Sequence, residues 1–234
     1  MTKRKIKLYV QEYIDYSKKN NPFSNVNYDS NIIFLNNCFI SLEIIDAYIN
    51  SELIDNQYVI KLLKGFQENI LLLLHIFPKY NSLIFSTIKR NIIETILRIL
   101  ITINMDLNEK QISSMRFVNL KDLIKKNKIY KLSSNKKYID SYFQLFADNS
   151  NVLHNNFSKD SNTITKLSSL NNSLRKDEIK SLNYFSNCIK HFLLFFLPNK
   201  FHINVRELPM SSIKMIQDSI EENEFNNFFS PTSN

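Results

Sequence analysis

The chain has 234 residues, 44% of them hydrophobic and 22% charged, with one Gly, five Pro and two Cys. That balance suits one globular domain and excludes a collagen-like chain, a disordered tail protein and a disulfide scaffold. The 30 Lys+Arg exceed the 22 Asp+Glu by eight, a surplus that attracts anions without choosing between nucleic-acid binding and plain solubility.

Apolar residues recur at spacings of three and four along most of the chain, which predicts an almost wholly helical protein. A first helix covers 7–17 and stops before Asn20-Asn21-Pro22. Helix 31–50 carries Ile32, Leu35, Phe39, Leu42, Ile45 and Ile49, and helix 52–77 runs until Pro78 stops it. A third long helix spans 81–105. Residues 107–127 read as short Lys-rich helices and 135–147 as another amphipathic helix. The Ser- and Asn-rich stretch 159–173 reads as a loop. Helix 176–197 ends at Pro198, and a short helix covers 211–222. The expected architecture is therefore one all-α domain, residues 1–222, built as an antiparallel helical bundle with additional short helices. A flexible tail, 223–234, follows it, with Phe225, Phe228 and Phe229 docking on the body or binding a partner.

With a single Gly, neither a GxGxxG turn nor a Walker loop exists. Asn, present 32 times, takes over part of that work because it tolerates left-handed conformations at helix ends. Cys38 and Cys188 lie in apolar helical patterns and read as reduced, buried thiols of an intracellular, cytoplasmic protein. The N-terminal MTKRKIKLYVQEY has no uninterrupted apolar core and is not a secretory signal. The greasiest runs, 70–77, 99–103 and 192–197, fall short of the roughly 20 residues needed to cross a bilayer, so no membrane association is expected. His75, His154, His191, His202 and the two Cys never fall at ligand spacing, so neither a metal nor a cofactor is expected. His75 and His191 sit in apolar runs and read as partly buried structural residues.

Two constellations are candidates for chemistry. On a helical wheel at about 100° per residue, Arg90 projects among Ile93, Leu97 and Ile101, with Glu94 adjacent. An Arg in that position needs a partner, and Glu94 one turn on is the nearest. Lys89 also falls on the apolar side, which implies either a helix surrounded by others or one that shifts phase there. The second constellation is 143–157. If the helix continues through it, Phe143, Phe146, Ser150, Leu153 and Phe157 form one stripe, with His154 at its edge one turn beyond Ser150. The alternative is a helix end at 148–151, where Asp148 through Asn151 serve as cap and turn residues and His154 is simply exposed. A third feature, Lys121, Lys125, Lys126, Lys128, Lys131, Lys136 and Lys137, is interleaved with Ile129, Tyr130 and Tyr138. It is a candidate phosphate-binding stretch, or else a solvated helix face.

A long helix bearing Arg90-x-x-x-Glu94, followed by a later helix bearing Ser150-x-x-x-His154 in a small Lys-rich helical protein, resembles divergent members of the HEPN superfamily. The similarity covers roughly 31–198 and is closest to abortive-infection proteins of bacterial antiphage systems. The resemblance implies a HEPN-like bundle, commonly a homodimer, and a metal-independent endoribonuclease in a toxin-like defence role. It also implies RNA as substrate and a neutralising or defence-system protein as partner. Such enzymes use an Arg, often followed by a polar residue, and a His on the same helix with four to six residues between the two. Here Asn149 and His154 match, and Asp148 stands in the place of the Arg. Cleavage by a ribose 2′-OH builds negative charge on phosphate, which a guanidinium stabilises while His moves protons. On that reading Arg90 supplies the guanidinium from the facing helix, His154 acts as acid or base, and Asn149 or Ser150 orients the scissile group, with Glu94 beside Arg90. The rival is a non-catalytic helical module that binds protein or nucleic acid and keeps Arg90, Glu94 and His154 as a buried polar lock.

Overall fold

Asn begins helices in this protein. In the computed structural model, which describes residues 4–157, 174–201 and 205–229, Asn56, Asn81, Asn108 and Asn127 turn their side-chain oxygens onto backbone N–H groups of the turn that follows. Each satisfies donors that a helix leaves free at its start. The expected use at left-handed helix ends is not seen. Among the described residues the non-glycine with positive φ is Glu52, at 56°, and Gly65 lies inside a helix with open space where a Cβ would sit.

Every regular element among the described residues is helical, as the apolar spacing predicts. The long helices are α1 (Arg4–Asn20), α2 (Ile32–Asn50), α3 (Gln57–Ile76) and α4 (Ser82–Asn104). Three short ones follow, α5 (Glu109–Ser114), α6 (Phe117–Lys126) and α7 (Lys128–Lys131), and then the long α8 (Ser133–Phe157). The chain finishes with α9 (Lys176–His191), α10 (Leu197–Phe201), α11 (Met210–Ser219) and α12 (Glu222–Phe229).

The first four long helices run up and down. Tyr9 and Tyr13 of α1 meet Phe39 of α2. Gln67 of α3 donates to Asp46 of α2 at 2.7 Å, and Phe77 meets Phe85 where α3 turns into α4. Helix α9 lies between α2 and α8, with Asn37 donating to Ser186 at 3.1 Å and Asn187 at 2.8 Å. Helices α3, α6 and α8 pack around α4, whose Ile92, Ile93, Ile96, Leu97 and Ile99 are fully buried, and Phe185 of α9 lies against its Lys89. Burying each such side chain contributes about 1.5–3 kcal/mol. This enclosure is why Lys89 sits on an apolar face and is itself buried. The segment Asp29–Asn50 is long and apolar enough to cross a membrane, and half of its residues are buried inside the bundle.

Several expected boundaries shift. Helix 52–77 begins at Gln57, because the chain bends at Glu52 and restarts on the Asn56 cap. Helix 135–147 extends from Ser133 to Phe157. Pro198 does not end its helix: Phe192–Phe196 forms a π turn and the chain stays helical to Phe201. Residues 223–229 of the expected flexible tail belong to α12, where Glu224 pairs with Lys190 at 3.0 Å and Phe225 packs against the core. The expected loop 159–173 and residues 230–234 lie outside the described residues. His75 is exposed rather than partly buried, while His191 is half-buried as expected. Both cysteines are free thiols, Cys38 buried and Cys188 half-buried, and burial pushes both pKa values up.

Candidate functional site

Helices α4 and α8 share the most extensive helix–helix interface among the described residues. They run antiparallel, since Arg90 meets Phe146 while Asn127, just before α8, donates to the carbonyl of Asn104 at the other end of α4. The Arg90 guanidinium carbon lies 4.7 Å from the centre of the Phe146 ring, and its Nε is buried without a hydrogen-bond partner. The same ring carries Phe117, stacked at 3.5 Å with planes 4° apart.

The expected Arg90–Glu94 pair is not formed. Glu94 pairs instead with Arg98 at 3.2 Å, and Arg98 also donates to the carbonyl of Met115. A carboxylate placed one turn N-terminal to its cation is the favoured order along a helix. Arg90 is left to the face of an aromatic ring, where its charge meets the ring quadrupole.

The polar residues of α8 look inward along their own helix. Asn149 is buried and donates to the carbonyl of Leu145 at 2.6 Å, and Ser150 donates to that of Phe146 at 2.8 Å. The helix continues through 148–151, the stretch that also reads as a cap, with its Asn149 and Ser150 side chains turned back onto carbonyls one turn earlier. Asp148 is exposed and accepts from Gln144 at 2.7 Å. His154 is exposed, eight residues beyond Phe146, or about 12 Å along the helix axis at 1.5 Å per residue. The fold thus brings Arg90 to the Phe146 turn, near Ser150, but leaves His154 about two turns away on the surface. A cleft of about 500 Å³ lies elsewhere, between the Asn20–Val26 loop and Pro78, Lys79 and Tyr80. None of the five candidate catalytic residues lines it. No group of three metal-ligating side chains occurs among the described residues.

The lysine stretch forms an elbow of three helices, α6, α7 and the start of α8. Between Arg116 and Lys137 the sequence holds eight cations against the single carboxylate of Asp122. This segment alone is +7, and the rest of the chain carries only +1. Leu120, Ile124 and Ile129 are buried and root the elbow in the core. Lys125, Lys126, Lys128, Lys131, Lys136 and Lys137 are exposed, and none is ion-paired with a described carboxylate. Tyr130 donates to Asp140 at 2.8 Å and carries Lys136 over its ring at 5.8 Å. Lys121 lies 5.5 Å over Phe143, and Phe117 touches both Phe143 and Phe146. Arg90 and Lys121 therefore share one aromatic cluster, so Arg90 belongs with the basic elbow rather than with His154.

A further arrangement has no signal in local sequence. Tyr138 is stacked on His191 at 3.8 Å, and Phe195 lies behind the imidazole at 5.1 Å. Burial, and to a smaller extent the charge of Lys190, push the His191 pKa down to about 4, against an opposite effect of Glu224. Comparison with protein-family models, with curated proteins and with solved structures gave no match.

Proposed function

We propose that this chain is a HEPN-like helical protein of bacterial antiphage defence, working in the cytoplasm, that holds RNA rather than cleaves it. One observation carries the reading. Nearly all of the net charge is gathered on one elbow, six of whose seven lysines are exposed and free of described carboxylates. Charge kept for solubility is spread over a surface; charge gathered on a fixed scaffold tracks phosphates. The resemblance supplies the family half of the proposal, and the close packing of α4 on α8 is consistent with the helix pair on which it rests. Free cysteines agree with a reducing compartment. Against cleavage stand Asp148 in the place of the Arg and the engagement of Arg90 with Phe146.

The test is fluorescence anisotropy of a labelled single-stranded RNA, titrated with protein at several salt concentrations, alongside incubation with total RNA in EDTA. We expect binding that weakens steeply between about 50 and 200 mM salt, no cleavage, and unchanged binding by His154→Ala. Absence of binding at low salt overturns the proposal. Cleavage in EDTA that His154→Ala abolishes would return the chain to the ribonucleases.

A further inference from the structure

Tyr138 presents an aromatic surface to solvent at the edge of the basic elbow. It is 38% exposed, on a helix whose next rings, Tyr142, Phe143 and Phe146, are buried. It does not swing freely, because the His191 imidazole lies against it at 3.8 Å with planes only 17° apart. Phe195 in turn meets that imidazole, so the three rings form a short ladder running from solvent into the bundle. Lys190, next to the ladder, is fixed by its pair with Glu224.

Two lysines, neither paired with a described carboxylate, adjoin this surface, while Asp140 is engaged by Tyr130 and Glu224 by Lys190. Lys136 and Lys137 immediately precede Tyr138, and all three are exposed. At about 100° per residue they fan around roughly 200° of the solvent side of the first turns of α8. Lys136 leans over Tyr130 on one flank, and Tyr138 closes the fan on the other. A nucleic-acid strand passing over this turn meets two ammonium groups and then a partly exposed ring backed on one face by His191. Aromatic rings of this kind bind unpaired bases of any identity, whereas a duplex keeps its base faces stacked within itself.

We propose that Tyr138 is the stacking platform for an unpaired RNA base, with Lys136 and Lys137 holding the adjoining phosphates. The proposal rests on the RNA-holding reading above and adds to it a preference for single strands with little choice of sequence. The phenol hydroxyl has no part in it, since the ring face does the binding.

The chain has no Trp, so Tyr138→Trp places the sole indole at the platform. A short oligouridylate should quench that fluorescence as it binds, and an equally long RNA duplex should not. Tyr138→Ala should weaken oligouridylate binding roughly tenfold, leave duplex binding unchanged, and keep the salt dependence, because the phosphates are still held. Tyr138→Phe should bind as the parent does. If RNA binds but the indole signal stays constant and Tyr138→Ala binds as well as the parent, the platform is overturned while the RNA-holding reading stands. If no RNA binds even at low salt, both fall.

Discussion

Lys89 is a cation inside a seam of the bundle. It is 5% exposed, its ammonium lies 5.5 Å from the Phe185 ring, and its main electrostatic support is Glu178 on α9. Glu178 is not free to serve it alone, since it also accepts from Arg175 at 3.4 Å and from Tyr80 at 3.5 Å. Burial pushes the Lys89 pKa down to about 8 against this partial support. Below about 8 the amine is charged in both the folded and the unfolded chain, so the full cost of burying the charge is present at neutral pH. Between about 8 and its ordinary value of 10.5, the folded chain gives up a proton that the unfolded chain retains. The unfolded chain then binds more protons, and this residue makes stability rise with pH. Lys89→Met, which keeps the stem and removes the charge, should therefore stabilise the fold by roughly 2 kcal/mol at pH 7. Its advantage should shrink toward pH 10. Guanidinium unfolding of both chains at the two pH values checks this. A variant less stable than its parent at pH 7 would mean that Glu178 and the ring more than offset the desolvation.

The π turn at Phe192–Phe196 shows how a helix passes a proline. Leu197 gives its N–H to the carbonyl of Phe192, one residue further back than in an α-helix. The carbonyl of Leu193 then has no backbone donor, because the next candidate, Pro198, lacks an N–H. The fully buried hydroxyl of Tyr48, from α2, donates to it at 2.9 Å. Tyr48→Phe removes that donor with little change in shape and leaves a buried carbonyl unsatisfied, which should cost about 1–3 kcal/mol. Thermal unfolding measures the loss, and an unchanged midpoint would show that the turn relaxes to bond its own carbonyl. The same turn marks a limit of sequence reading. The long apolar helices 31–50 and 81–105 were legible because apolar periodicity runs unbroken between polar Asn residues at their ends. Pro198 reads as a stop, since its missing donor is local information while the rescuing hydroxyl comes from a distant helix. At 148–151 cap-type residues bond to carbonyls one turn back instead of ending the helix, a choice set by the packing of α8 on α4. The basic stretch was readable from charge alone. The departure of Glu94 to Arg98 and the ladder of Tyr138, His191 and Phe195 were not, because each depends on which neighbours the fold supplies.

Among the described residues, Lys89 apart, charge and core are separated. The interior is a continuous apolar cluster drawn from nearly every helix, and the surplus of positive charge sits on an elbow tied to it by Leu120, Ile124, Ile129, a few aromatic rings and the Asn127–Asn104 hydrogen bond. Exposed ammonium groups on such a scaffold repel one another and contribute little to folding, so their removal should leave the fold intact while erasing its main electrostatic feature. Changing Lys125, Lys126, Lys128, Lys136 and Lys137 together to Gln removes five of the eight net charges. The melting temperature should stay the same or rise slightly. Affinity for single-stranded RNA should fall sharply at low salt. The slope of log affinity against log salt should become shallower by up to about 3.5, at about 0.7 for each phosphate that is no longer neutralised. A variant that keeps the parental slope would place the RNA away from the elbow, and one that loses its fold along with its binding would mean that these lysines are structural after all.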